Sequence, residues 1–237
     1  MLLSALLLLE TLATGDQFIV QGSTLSLSAV KSLGLVALTV DPTRSDRRGI
    51  CSGTLIAPSQ VLTASHCVHN PLGPLSYAIF GTDAFSLEAP RIKITSAEKV
   101  SGADILIVVL QDVAPSDYQV QRMALDVASG PLQAQNVFGA GFGRSSDEDV
   151  ASGGIARQLS TRISIFERGN PLIQANSGSG HGFCFGDSGG PLFATISGQR
   201  QVIGILSVGA QTCASGLDTF LNLLFYSKQI KSILSTA

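Results

Sequence analysis

The stretch Gly186-Asp187-Ser188-Gly189-Gly190-Pro191-Leu192 decides how this chain is read. Glycines on both sides of a serine permit a tight turn with exposed backbone. Such a turn aims successive N–H groups at one point, which is what a developing oxyanion needs. The pattern is also Gly-x-Ser-x-Gly, the nucleophile elbow of α/β-hydrolases, where the acid and the histidine follow the serine. The histidines here are His66, His69 and His181, and all precede Ser188. An elbow at this point would have no base, so the serine must be served from upstream.

Working outward, strand signals dominate. Residues 33–40, 53–56, 61–64, 77–80, 105–110, 136–140, 158–165 and 202–208 form short runs rich in Val, Ile, Leu and Thr, punctuated by Gly, Pro, Ser or Asp. That rhythm suggests antiparallel sandwiches or barrels. No helical patterns alternate with the strands, which argues against a doubly wound α/β sheet. One helix is expected over Ser227–Leu234, where Ile230, Ile233 and Leu234 recur at helical spacing and lysines take the other face. Residues 145–154, with Asp147-Glu148-Asp149, and residues 170–182, rich in Gly and Ser, read as exposed loops.

The 237 residues suit one large domain or two small ones. Hydrophobic residues make up 45% and charged residues 14%, a balance that argues against disorder. The net charge of −2 gives no electrostatic footprint for nucleic acid. No apolar run reaches the roughly 18 residues of a membrane span. Residues 1–15 read as a signal peptide, with an apolar core from Leu2 to Leu9 and a small-residue stretch at Ala13-Thr14-Gly15. They lack the usual basic start, and the alternative is a buried N-terminal helix.

Cys51, Cys67, Cys184 and Cys213 are an even set, which in an exported chain suggests two disulfides. Four cysteines allow three pairings. A metal site built from Cys51, His66, Cys67 and His69 is the rival, but it lacks a second Cys-x-x-Cys or His-x-x-x-His arm. Neither a metal nor a cofactor is expected.

Five motifs in order resemble the trypsin/chymotrypsin family of serine proteases. Leu62-Thr63-Ala64-Ser65-His66-Cys67 is similar to the family's histidine segment, with Ser65 where alanine is usual. Asp104-Ile105-Leu106-Ile107-Val108 resembles its acidic strand, and residues 186–192 match its serine motif in full. Gly141-Phe142-Gly143 stands where the family usually has Gly-Trp-Gly, and Ser207-Val208-Gly209 where it has Ser-Trp-Gly. The resemblance runs from about Ile19 to the end.

The resemblance implies an all-β fold of two six-stranded antiparallel β-barrels, over residues 19–115 and 116–237, with the site in the cleft between them. It implies the pairs Cys51–Cys67 and Cys184–Cys213. It implies His66 as general base, Asp104 as its orienting acid, Ser188 as nucleophile, and the N–H groups of Gly186 and Ser188 as the oxyanion hole. Gly182, Ser207, Gly209 and Asp218 are the expected substrate-pocket residues. An acid at position 182 would select Lys and Arg; here glycine stands there, and Asp218 on the opposite wall suggests the same preference. Family members mature by cleavage before an Ile-Val-Gly-Gly segment, for which Ile19-Val20-Gln21-Gly22 is the nearest match, leaving 16–18 as a short propeptide. The freed ammonium of Ile19 would pair with Asp187. Expected partners are protein or peptide substrates and protein inhibitors, in a secreted or periplasmic setting. A silent binding relative is one rival, although no triad residue is missing. An esterase or acyltransferase with the same triad is another.

Overall fold

The computed structural model describes residues 19–126, 135–163, 166–208, 212–213 and 215–235. The expected signal and propeptide segments and Gly209 lie outside the described residues.

The chain enters through β1 (Ser23–Thr24) and a short helix α1 (Leu27–Ser32), capped by Ser26, whose hydroxyl accepts the Ala29 N–H at 3.3 Å. Six strands follow: β2 (Leu35–Thr39), β3 (Ile50–Ala57), β4 (Gln60–Ala64), β5 (Tyr77–Ile79), β6 (Arg91–Lys99) and β7 (Ile105–Leu110). They close on themselves in the order β2-β3-β4-β7-β6-β5. Closure leaves no free edge, and the apolar runs explain it: Leu38, Leu55, Leu62 and Ile107 are all essentially inaccessible inside.

The second sheet holds β8 (Gln135–Gly141), β9 (Arg157–Ser160), β10 (Arg162–Ile163), β11 (Leu172–Asn176), β12 (Pro191–Ile196), β13 (Gln199–Val208) and β14 (Leu217–Asn222). Its order is β1-β9-β8-β12-β13-β14-β11-β10, so the two-residue strands β1 and β10 extend its edges. β12 and β13 form a hairpin whose turn, Ser197-Gly198, has φ of +50° and +77°. Positive φ at both turn residues matches the natural strand twist. The last helix, α2 (Ser227–Leu234), turns Ile230 and Ile233 onto the core cluster that also holds Leu38 and Leu55 of the barrel. The C-terminus thereby packs with apolar residues of the N-terminal half.

The all-β chymotrypsin-like architecture, one closed six-stranded barrel and the C-terminal helix are present as expected, while the second unit is an eight-stranded sheet that does not close, because the short strands β1 and β10 extend its two edges. The reading of residues 170–182 as a loop needs correction, because β11 lies within it and pairs with β14. Its alternation hides the signal: only Ile173 and Ala175 turn inward, between Leu172, Gln174 and Asn176. The loop 145–154 carries a 3₁₀ turn at Val150–Ser152, and its exposed Asp147 accepts the Cys213 N–H at 3.1 Å.

Both disulfides pair as the resemblance implied, Cys51–Cys67 and Cys184–Cys213. The first joins β3 to the turn after β4 over a separation of 16 residues. Replacing both partners by alanine should cost about 3 kcal/mol, equivalent to a Tm fall of roughly 10 °C. Thermal unfolding of this variant checks it; an unchanged Tm would show that the closed loop does not stabilise the barrel.

Candidate active site

β4 ends at Ala64, and the 3₁₀ turn Ser65–His69 follows at once. Ala64 is in register with Ile105, the first residue of β7. That pairing brings His66 and Asp104 to the same end of the barrel. His66 Nδ1 lies 2.7 Å from Asp104 Oδ2, and the His66 backbone N–H donates to Asp104 Oδ1 at 2.8 Å. Ser65 donates its hydroxyl to Oδ1 at 2.8 Å. Ser207, from β13 in the other sheet, donates to Oδ2 at 2.6 Å. Partial burial pushes this carboxyl up, but hydrogen bonds from His66, Ser207 and Ser65 outweigh it and hold the group well below the usual carboxylate range. An ionised Asp104 fixes the proton on Nδ1 and leaves Nε2 as a proton acceptor.

Ser188 sits in a turn whose neighbours Gly186 and Gly189 have φ of +104° and +77°. At Gly189 a side chain is sterically forbidden: a Cβ there would lie 2.1 Å from Thr63 Oγ1 and 2.6 Å from Ala64 N. The turn is fixed on all sides. Gly189 N–H donates to Leu206, Gly190 N–H to Asp187, and the Ser52 N–H to the Ser188 carbonyl, each at 2.8 Å. The Ser52 hydroxyl donates to the Gly186 carbonyl and accepts the Phe142 N–H, both at 2.8 Å. Ser52 was not singled out from sequence, because a serine inside a strand carries no motif. Among the described residues, the N–H groups of Gly186 and Ser188 have no internal acceptor, and no hydrogen bond joins His66 to the Ser188 hydroxyl. All three residues line one cavity of about 470 Å³. Such contacts often tighten only with substrate in place.

Asp187 is fully buried and accepts the N–H groups of Gly143 at 2.7 Å and Cys184 at 2.9 Å. Burial raises its carboxyl to about 6, with these N–H groups and the charge of Arg157 opposing the rise and Asp218 adding to it. The space is cut for it: a Cβ on Gly143 would come within 2.2 Å of Asp187 Oδ2. Ile19 is buried in the second apolar cluster, and Val20 bridges to Gly182.

A second cavity of about 200 Å³ also borders Ser188, lined by Phe183, Cys184, Leu206, Ser207, Val208 and Cys213 among others. Gly182 and Asp218 lie behind that lining rather than in it. Asp218 is almost inaccessible and accepts the Phe183 N–H at 3.2 Å, and a Cβ on Gly182 would sit 3.6 Å from its Oδ2. The sulfurs of Cys51 and Cys67 gather near His66, but both are committed to their disulfide and offer no thiolate to a metal.

Two antiparallel β units, with a His–carboxylate pair and a glycine-flanked serine turn lining one cleft, define the chymotrypsin class of fold. Residues 36–228 match the trypsin family. The chain is 30% identical over 193 residues to the cercarial protease of Schistosoma mansoni, covering 68% of this chain and 71% of that one. The fold is similar to that of neuropsin from mouse brain, with a TM-score of 0.69 at 19% identity over 90% of this chain and 99% of the other. Human heparin binding protein has the same fold, with a TM-score of 0.71 at 19% identity over 91% and 96%. The chain belongs to the trypsin-like serine protease family.

The raised Asp187 gives a signed pH dependence. Its stabilising contribution is complete below the unfolded value of 3.8 and is lost as pH rises through about 6. In the uncleaved chain, stability relative to Asp187→Asn should therefore fall by about 2 kcal/mol between pH 4 and 7. Urea unfolding of both proteins across that range checks it; a flat difference would contradict it.

Proposed function

We propose that the chain is a secreted serine endopeptidase that hydrolyses peptide bonds through an acyl-enzyme on Ser188. The observation that carries this reading is the 2.7 Å contact of His66 with Asp104 on the wall of the cavity that also holds Ser188 and two uncommitted backbone N–H groups. His66 Nε2 takes the hydroxyl proton as Ser188 Oγ attacks the scissile carbonyl. Asp104 keeps the tautomer and stabilises the imidazolium. The N–H groups of Gly186 and Ser188 receive the oxyanion. His66 then returns its proton to the leaving amine, and water, activated the same way, releases the acid. The two disulfides and the family suit an oxidising, extracellular compartment.

The smaller cavity is the place for the side chain before the cut. Asp218 behind Gly182 supports a preference for Arg or Lys. The lining of Phe183, Leu206 and Val208 favours a second reading, a neutral apolar side chain. Ser207 has its hydroxyl on Asp104, so its contribution to substrate comes from the backbone.

Maturation by cleavage before Ile19 has two supports. Ile19 is β-branched yet has φ of +44°, a left-handed conformation that severing the preceding bond would relieve. Asp187 is a buried carboxylate that a new ammonium would neutralise.

Digestion of a denatured protein mixture tests the main proposal. Wild type should cut it, Ser188→Ala should not, and Asp104→Asn should lose roughly 10⁴-fold in kcat. Equal cleavage by wild type and Ser188→Ala would overturn it. Peptides that differ only before the cut decide the pocket: Arg and Lys faster than Leu and Phe by tenfold or more supports Asp218 as the selector, and the reverse order supports the apolar reading.

A further inference from the structure

The larger cavity has a charge pattern that the proposed hydrolysis does not use. Arg47, Arg48 and Arg144 line it together with Ile50, Leu72 and Phe185, and no Asp or Glu is in the lining. The chain as a whole carries a net charge of −2, so this local excess of cations runs against the overall balance. The three arginines are not equivalent. Arg47 is neutralised by Asp83 at 2.7 Å, donates to the Gly153 carbonyl at 2.7 Å and lies over Phe85. Arg144 has no carboxylate partner among the described residues; its guanidinium lies 5.3 Å above the Phe185 ring, at the mouth of the oxyanion turn. Arg48 is exposed and forms no ion pair among the described residues, although its charge helps keep nearby Asp46 ionised. Its backbone N–H meets Asp46 at 3.2 Å, but both oxygens of that carboxylate are already taken by Arg44.

The direction of a bound peptide follows from the two cavities. Both include Ser188 and Phe185 and share no other lining residue, so they lead away from the nucleophile in different directions. A chain that places the side chain before the cut against Ser207 and Cys213 must lay the residues after the cut along the Cys51–Cys67 disulfide. Those residues then face Arg48 and Arg144. Guanidinium forks match carboxylates in geometry and stay charged at every working pH. Stacking on Phe185 pre-orders Arg144, which reduces the entropy lost on pairing.

We infer that Arg48 and Arg144 select substrates with an acidic side chain shortly after the scissile bond. The inference rests on the endopeptidase reading for its direction, but the anion site itself does not depend on turnover. Two partly exposed pairs should give a selectivity of roughly 5- to 20-fold, weakened by salt.

The test uses peptides with Asp, Glu, Ala or Lys at the first two positions after the cut, amidated at the C-terminus so that a terminal carboxylate cannot stand in for the side chain. The kcat/KM of wild type and of Arg48→Gln with Arg144→Gln is measured at low and high salt, and Kd for the same peptides is measured on Ser188→Ala. The expected result is an Asp/Glu preference over Ala of about 5- to 20-fold, a penalty for Lys, and a collapse to within about twofold in the double variant and in high salt. Cleavage indifferent to charge, or a preference that survives the double substitution, would overturn the inference. Should wild type cut no peptide, the endopeptidase reading falls. The binding arm then decides the anion site alone: tighter Kd for acidic peptides sustains it, and equal Kd values end it.

Discussion

The carboxylate of Asp104 is one place where the two halves of the molecule are tied together. Ser65 and His66 reach it from the turn after β4, and Ser207 reaches it from β13 in the other sheet. A half-buried anion would be costly if left alone. Four donors satisfy it, so the histidine ring is held by a group that is itself held from both sides. The Ser207 bond spans the two sheets, so a shift of one against the other strains the hold on Asp104. The geometry at His66 therefore reports on the docking of the whole fold.

Two acidic groups near the cleft meet opposite fates. Asp104 gains enough hydrogen bonds to remain an anion despite its burial. Asp187 is sealed more deeply, with two backbone donors and the more distant charge of Arg157, and burial prevails. The difference suits their positions. Under the proposed function, Asp104 must stay charged to orient an imidazole. Asp187 lies between Gly186 and Ser188, and its carboxyl ties that turn to the backbone of Gly143 and Cys184. Gly143 is part of the same device, since its missing side chain is the space that Asp187 occupies.

Much of this was legible in the sequence, and the reasons are specific. The serine turn could be read because glycine is obligatory where φ is positive and backbone crowds in, as at Gly189. The histidine was identifiable through its order relative to Ser188 and its neighbouring cysteine. The strands β2, β4 and β7 announced themselves as apolar runs, and β7 begins and ends where expected, at Ile105 and Leu110. Of the strands that escaped notice, β6 and β11 are half-polar, whereas β12 is almost wholly buried and runs straight on from the serine motif. β6 reads Arg91 to Lys99 with mostly exposed side chains, and β11 alternates around Ile173 and Ala175. Contacts made by common residues across long separations left no trace either. Ser52 bridges to Gly186 and Phe142, and Asp147 reaches Cys213, yet nothing local to either residue signals it. Gly182 and Asp218, expected on opposite walls of the substrate pocket, lie side by side, and neither is in the lining of the smaller cavity.

The central claim is that the Ser188 hydroxyl is made nucleophilic by a histidine that Asp104 orients. An organophosphonate that reacts with activated serines reads this directly, by intact mass and peptide mapping. The account predicts one adduct per chain, located on Ser188, absent after His66→Ala and formed far more slowly after Asp104→Asn. No adduct on the correctly folded chain, or labelling that proceeds equally well without His66, would contradict it.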